Sequence, residues 1–219
     1  LVGNPNDAPV DLTFTFLLGT PYEGTTYVFR DRVGARERYT LNPETLVRPD
    51  AFQLLGATAV STVVEASAPV VVERAMYWPG SFLTWAEAHN SLGVTETGTR
   101  WGLAEGRIGG PAGFETYLLL ANADPARAAR VRLTFLRETG APVVIGREVP
   151  AASRNNVYVN NPEEVPGLAP GERFGVLLES LPVAGAPAGV PISVERALYW
   201  NAGTEHWAGG TNALATKLP

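Results

Sequence analysis

The stretch that decides the fold occurs twice, first as Val72-Glu73-Arg74-Ala75-Met76-Tyr77-Trp78 and again as Val194-Glu195-Arg196-Ala197-Leu198-Tyr199-Trp200. The second occurrence lies 122 positions after the first, and the match continues without a gap to a second tryptophan, Trp85 in one and Trp207 in the other. A period of about 120 residues is too long for a solenoid unit and equals the size of one small domain. The repeat therefore predicts two tandem domains.

Weaker matches extend the repeat towards the start of the chain. Leu12-Thr13-Phe14 corresponds to Leu133-Thr134-Phe135, and Leu1 corresponds to Leu119. We predict a first repeat over residues 1–98 and a second, complete repeat over residues 99–219. The first repeat lacks a counterpart of residues 101–118, its N-terminal strand region, as would part of a longer array. A sheet edge left uncovered there would be open to strand addition from another chain.

The local pattern of the second repeat is one of strands. Its β-forming segments are separated by turn-forming clusters, and no segment has the periodicity of an amphipathic helix longer than about two turns. About seven or eight strands in about 120 residues are typical of a β-sandwich, so we expect an all-β fold. The predicted strands are 101–105, 114–120, 131–136, 143–149, 156–160, 174–179, 192–200 and one near Trp207.

The composition excludes several classes of protein. Of the 219 residues, 45% are hydrophobic and 18% are charged, which is typical of globular domains. The formal net charge of −5 disfavours a polyanion-binding surface, so we expect no nucleic-acid partner. The absence of cysteine excludes a disulfide framework and a thiolate site. No apolar run reaches the ~18 residues that cross a bilayer, so we expect no transmembrane segment.

Three motifs together resemble tandem Ig-like repeats of large bacterial surface and secreted proteins, which are mostly of unknown function. The motifs are Trp101-Gly102-Leu103-Ala104-Glu105-Gly106, Leu119-Leu120-Ala121-Asn122, and Val-Glu-Arg-Ala-x-Tyr-Trp with its later tryptophan. The resemblance covers essentially the whole chain. It implies two tandem Ig-like antiparallel β-sandwich domains of about 100–120 residues each. It also implies an extracellular or cell-surface location, and it carries over no catalytic or binding residue.

The duplicated stretch places an arginine on an apolar strand face. Alternate residues of a strand share a face, so Arg74 and Arg196 lie with valine and tryptophan. One interpretation is a pocket in which the arginine binds a carboxylate or a sugar. The other is a structural arginine whose stem packs on tryptophan and whose charge is paired, because buried charges persist mainly in pairs. Glu65 and Glu179, at similar places in the two repeats, are then the expected partners.

The duplicated tryptophans also have two interpretations. Trp78 and Trp200 alternate with apolar residues and are expected in the sandwich cores. Trp85 and Trp207 lie beside Gly- and Asn-rich sequence, where exposed coplanar rings would favour sugar binding and buried rings a structural role. The residues of the structural repeat motif are Glu73, Arg74, Tyr77, Trp78, Trp85, Glu195, Arg196, Tyr199, Trp200 and Trp207.

Residue patterns for catalysis are scarce. His89 and His206 are the two histidines, and neither has a histidine at the matching position of the other repeat. The sequence contains no nucleophile elbow, and its glycine-rich segment after Glu105 precedes a strand rather than a helix, so it does not form a phosphate loop. We therefore expect no enzyme, no cofactor and no metal site.

The predicted function is a structural repeat module of an extracellular or cell-surface stalk, surface layer or filament, with a role in adhesion or assembly. Its expected partners are like domains or subunits, joined head to tail by strand addition. The alternative is a carbohydrate- or protein-binding module of a secreted multidomain protein, with a polysaccharide as partner.

Overall fold

The computed structural model describes residues 1–46, 54–56, 58–81 and 83–219. These residues form antiparallel strands and two short 3₁₀ helices, Pro43–Thr45 and Leu54–Gly56, which confirms the prediction of an all-β fold. The strands are β1 (Val2–Gly3), β2 (Val10–Leu18), β3 (Thr26–Val33), β4 (Arg38–Tyr39), β5 (Val60–Ala66), β6 (Val71–Trp78), β7 (Glu87–Leu92), β8 (Arg100–Arg107), β9 (Glu115–Asn122), β10 (Ala129–Arg137), β11 (Val143–Val149), β12 (Ser153–Tyr158), β13 (Arg173–Leu181), β14 (Ser193–Ala202), β15 (Glu205–Leu214) and β16 (Thr216–Lys217).

The second repeat contains two sheets with a core between them. One sheet has the order β11-β10-β13-β8-β16 and the other the order β12-β9-β14-β15. The alternation of the sequence explains the core, because Val131, Leu133 and Phe135 of β10 are buried while the alternating Arg130 and Arg132 are exposed. These residues join Leu118 and Ile192, from the other side of the sandwich, in one cluster.

Strand β8 completes the second repeat and has no counterpart among the described residues of the first. It pairs with β13 on one side and with β16 on the other. Its residues Trp101 and Leu103 are buried in the core cluster. The prediction that residues 101–105 supply strand pairing and core surface to the second repeat is confirmed.

The first repeat also contains two sheets, with the orders β3-β2-β5 and β4-β1-β6-β7. Leu12, Phe14 and Phe16 alternate along β2 with less buried residues and form the centre of the core. In the part of the chain that the structure describes, β5 pairs only with β2. Within that part of the chain, no strand of the first repeat takes the place that β8 takes beside β13 in the second.

The second repeat covers this open side of the first. Strand β12 contacts β2 and β5, and β15 contacts β7. The first repeat contributes the inner face of β6, the face that carries both Arg74 and the core residue Val72. The second contributes the outer face of β14, opposite its core residue Val194. In the first repeat, the inner face of β6 is covered by a sheet of the second repeat. In the second repeat, the inner face of β14 is covered by that repeat's own strand β8.

Candidate functional site

The two duplicated strands, β6 and β14, meet where the second repeat covers the first. Alternation along each strand explains which side chains take part, because Arg74 and Trp78 share the inner face of β6 while Glu195 and Tyr199 share the outer face of β14. Neighbouring strands complete the contact. We call it the inter-repeat site, formed by Arg74, Trp78, His89, Arg154, Glu195, Tyr199, Trp207 and Asn212.

Aromatic rings occupy the centre of the inter-repeat site. Trp78 meets Tyr199 edge-to-face, with ring centroids 5.4 Å apart and an interplanar angle of 87°. Tyr199 in turn stacks on Trp207 at 4.4 Å and 16°. The indole Nε1 of Trp78 donates a hydrogen bond of 2.8 Å to the main-chain oxygen of Trp207. The Trp78–Tyr199 pair, which crosses from one repeat to the other, contributes about 0.5–1.5 kcal/mol beyond the burial of its area, and Trp207 supports Tyr199 from within the second repeat.

An ion pair connects the repeats beside the rings. Nη2 of Arg74 donates to Oε1 of Glu195 at 3.0 Å, and the side-chain amide of Asn212 donates to the same oxygen. The Glu195 side chain is 16% exposed and that of Arg74 is 34% exposed. The pair is therefore partly desolvated, and the loss of one partner would leave an uncompensated charge in the contact.

A second arginine lies on the other side of the same contact. Arg154 of β12 is buried; its Nε donates to Oδ1 of Asn156 at 2.7 Å, and its Nη1 donates to the main-chain oxygen of Val60 on β5. Burial, together with the charge of Arg74, lowers the pKa of Arg154 to about 10. The guanidinium thus remains charged at neutral pH while it satisfies a main-chain carbonyl of the first repeat.

Burial also changes the titration of two neutral groups. It lowers the pKa of His89 below the ordinary value of 6.5, and the charge of Arg74 lowers it further. It raises the pKa of the Tyr199 hydroxyl above the ordinary value of 10.0. Nε2 of His89 lies 3.1 Å from the Tyr199 hydroxyl oxygen. At neutral pH the inter-repeat site therefore contains an uncharged imidazole hydrogen-bonded to an uncharged phenol.

The structure gives the two duplicated arginines different partners. Arg196 is 3% exposed, and its Nη1 donates to Glu105 on β8 of the same repeat. Arg74 has no such strand beside it and pairs with Glu195 of the other repeat. Both arginines are paired, as the structural interpretation expects, but one pair lies within a repeat and the other joins two repeats.

The prediction that Glu65 and Glu179 pair with these arginines is wrong. Glu179 accepts from Arg132 at 2.7 Å, because the two residues are register partners on β13 and β10. Glu65 is exposed on β5. Glu65 lies in the sheet opposite the one that carries Arg74, and Glu179 lies in the sheet opposite the one that carries Arg196. Their similar positions in the two repeats do not indicate to which sheet each strand belongs.

The prediction that Trp78 and Trp200 lie in the sandwich cores is also wrong. Trp78 packs in the inter-repeat cluster with Tyr199. The core cluster reaches along β14 only to Val194, and Trp200 lies about 20 Å farther at 3.3 Å per residue. Trp200 is half-buried, and packs against Phe114 at 5.9 Å. The ends of these long strands extend beyond the core.

The outer face of β6 is exposed in the first repeat. Tyr77 and Trp85 are 58% and 72% exposed. Their ring centroids are 5.4 Å apart and their planes are inclined by 36°. Glu73 lies on the same strand face as Tyr77. The corresponding residues Tyr199 and Trp207 are covered by the first repeat, so the same motif is a contact in one repeat and an exposed surface in the other.

Two residues of the inter-repeat site, Arg154 and His89, are not indicated by the sequence pattern. Arg154 has a counterpart in Arg36, but Arg36 lies on an exposed turn and pairs with Asp7. His89 corresponds to Thr211 and therefore has no counterpart. The signal in the sequence is that Arg36 and Asn42 have the same separation as Arg154 and Asn160, and this spacing does not distinguish a buried arginine from an exposed one.

Among residues 1–46, 54–56, 58–81 and 83–219, no cluster of three or more His, Cys, Asp or Glu is placed to hold a metal ion. The same residues include no helix with the length and apolar character needed to cross a membrane.

Comparison with known proteins identifies no family. No protein-family model matches this chain. No curated protein matches it either. Among solved structures, Thermotoga maritima 1070 aligns with 57% of this chain and 97% of its own, at 17% identity and a TM-score of 0.46. The Anabaena sensory rhodopsin transducer aligns with 48% of this chain and 99% of its own, at 24% identity and a TM-score of 0.37. Both scores are too low to carry an argument about function.

Proposed function

We propose that this chain is a structural repeat module of an extracellular or cell-surface stalk, surface layer or filament. The observation that carries the proposal is the inter-repeat site, in which a sheet of one repeat covers the open side of the other. The resemblance of the duplicated motifs to Ig-like repeats of bacterial surface proteins supports the extracellular setting. A non-enzymatic role fits the use of the duplicated residues in packing and charge pairing.

The contacts of the inter-repeat site favour a stiff joint over a flexible linker. Trp78, Tyr199 and Trp207 pack across it, and Arg74 and Arg154 both bind groups of the opposite repeat. Interfaces between repeats add to the stability of the repeats themselves. A module of this kind transmits force between its ends without bending, which is what a stalk or filament requires.

Hydrogen exchange of the intact chain tests the proposed joint. Tyr199→Ala should speed exchange in β6 and β7 of the first repeat, because their inner face would lose its aromatic cover. Tyr77→Ala, which changes the corresponding residue of the first repeat, should leave exchange in both repeats unchanged. Equal effects of the two substitutions, or none in the first repeat, would contradict a structural joint.

Like repeats are the partners that we propose for assembly. The first repeat exposes Tyr77 and Trp85, with the half-buried Glu73 on the same strand face as Tyr77, and the second repeat packs the corresponding residues against the first. Strand addition at an edge strand of the module is a second route to the same head-to-tail assembly. Light scattering over a range of protein concentrations should reveal self-association that Trp85→Ser weakens. A monomer at every concentration would contradict this assembly.

A carbohydrate-binding module is the second candidate function. The observation that favours it is the exposed pair Tyr77 and Trp85, since neighbouring exposed rings stack on sugar rings. Titration with neutral oligosaccharides should then shift tryptophan fluorescence in the wild type and not in Trp85→Ala. A saccharide response that survives this substitution, or a wild type without any response, would argue against the candidate.

A further inference from the structure

Two arginines of the second repeat lie directly opposite each other. Arg107 on β8 and Arg173 on β13 are register partners in an antiparallel pair, which brings their Cβ atoms within about 5.5 Å on one face of the sheet. In the described part of the chain, neither makes an ion pair with a carboxylate. Like charges in this arrangement destabilise a sheet, so an anion between them would relieve the repulsion.

Both arginines line a groove of about 560 Å³ beside the ends of β8, β10 and β13. This volume lies within the range of about 300–1,000 Å³ that is typical of small-ligand sites. Its lining includes the buried side chains of Phe174 and Leu198 and the half-buried ring of Phe114. Phe174 and Leu198 are each 3% exposed, so the accessible apolar surface beside the two cations comes from Phe114 and the exposed side chain of Leu136.

The backbone of the groove is shaped by a β-bulge and two glycines. Ala104 and Glu105 of β8 together oppose the single residue Gly175 of β13. A Cβ on Gly175 would lie 3.0 Å from a main-chain oxygen, and one on Gly106 would lie 2.1 Å from the Phe174 ring. β-Bulges occur often beside binding sites, where they redirect side chains. Larger residues at these glycines would require the groove to rearrange.

The other charges of the groove leave the two opposed arginines unbalanced. Arg137 is paired with Glu172 from the adjoining turn. The carboxylate of Glu105 is paired with the buried Arg196. Glu138 remains as the one further acidic group of the lining. Beyond these pairs, the groove carries two positive charges and one negative charge in a chain whose net charge is −5.

Two hydrogen-bond donors near the groove have no acceptor among residues 1–46, 54–56, 58–81 and 83–219. Nε of Arg107 and Nε of Arg196 are both buried without an acceptor. The Arg107 guanidinium lies 4.3 Å from the centroid of the Phe114 ring, which fixes its plane. Both Nε atoms are closed to solvent, so they are not the atoms that a ligand in the groove would contact.

We propose that this groove binds an acidic saccharide, in which Arg107 and Arg173 hold the carboxylate of a uronic acid unit. A planar carboxylate matches the donor geometry of guanidinium groups. Glu138 accepts hydrogen bonds from sugar hydroxyls, and the C–H face of the sugar packs on Phe114 and Leu136. The site shares no residue with the inter-repeat site and does not depend on the structural role.

Titration of the ¹⁵N-labelled intact chain with trigalacturonic acid tests the proposal. Saturable NMR shifts should appear at residues 104–107 and 173–175. Arg107→Ala and Arg173→Ala should each weaken binding about tenfold or more, since each removes hydrogen bonds to a charged group. Arg132→Ala is the matched control, because this arginine lies in the same sheet but is paired with Glu179 outside the groove. Its affinity should equal that of the wild type.

Further measurements separate the proposed ligand from other anions and from a purely structural role of the arginines. A neutral galactose trisaccharide, acetate and inorganic phosphate should each bind at least about tenfold more weakly than trigalacturonic acid, because each lacks the carboxylate or the sugar ring. Without ligand, Arg173→Ala should not lower the urea midpoint, since it removes a like-charge pair. Equal binding of phosphate or of the neutral sugar, unchanged affinity in both arginine variants, or no saturable shift would overturn the proposal.

Discussion

Replacement of Trp78 by alanine measures how strongly the second repeat stabilises the first. A covered tryptophan ring buries about 150–250 Å², and Trp78 is half-buried, so about 100–150 Å² of its surface is removed from water. At 25 cal/mol per Å² this corresponds to about 2.5–4 kcal/mol. Its hydrogen bond to Trp207 contributes about 1 kcal/mol. Because an extended reference chain overstates burial, we expect Trp78→Ala to cost about 3 kcal/mol.

Urea unfolding of the intact chain, followed by circular dichroism, measures this loss. Trp85→Ala is the matched control, since Trp85 is 72% exposed on the opposite face and should cost less than about 0.5 kcal/mol. The first repeat should unfold at lower urea concentration in Trp78→Ala, because its open face would lose part of its cover. A loss below about 1 kcal/mol, or equal losses in the two variants, would refute the reasoning.

Two further predictions concern the polar groups of the inter-repeat site. Glu195→Gln should lower the free energy of unfolding by about 2–3 kcal/mol because it leaves Arg74 without its counter-charge. Adding Arg74→Met to this variant should recover part of the loss. Strictly additive losses of the two substitutions would contradict the pairing. The free energy of unfolding should also fall as the pH drops below 6.5, because the unfolded chain takes up a proton on His89 while burial holds the folded-state pKa lower; the decline ends below the folded-state pKa. His89→Asn should remove this part of the slope and His206→Asn should keep it, and a His89→Asn slope identical to that of the wild type would speak against a buried neutral imidazole.

Strand positions follow from the sequence because local alternation determines them. The prediction of a strand over residues 143–149 coincides with β11, and β10, β13 and β14 differ from their predicted bounds by one or two residues at either end. The role of residues 101–105 in the second repeat can also be predicted from the sequence, because aligning the two copies leaves these residues without a counterpart in the first. Both inferences use short-range pattern or direct comparison of the two copies.

Pairing between side chains from distant strands does not follow in the same way. Alternation correctly places Arg74 on an inner strand face, but its partner Glu195 lies 121 positions away on an outer face. Only the docking of one sheet on the other brings these faces together. The same limit applies to Arg107 and Arg173, whose opposition depends on the register of β8 and β13 across a bulge. Register and docking are properties of the assembled fold.

The central claim is that the second repeat is fixed against the open side of the first, and an interspin distance measures this directly. The chain has no cysteine, so cysteines introduced at Val28 on β3 and Val144 on β11, both exposed, would carry the spin labels at unique positions. Pulsed electron paramagnetic resonance should then give one narrow distance distribution, which broadens in Trp78→Ala and not in Trp85→Ala. A broad distribution in the wild type would mean that the repeats move independently and would contradict the account.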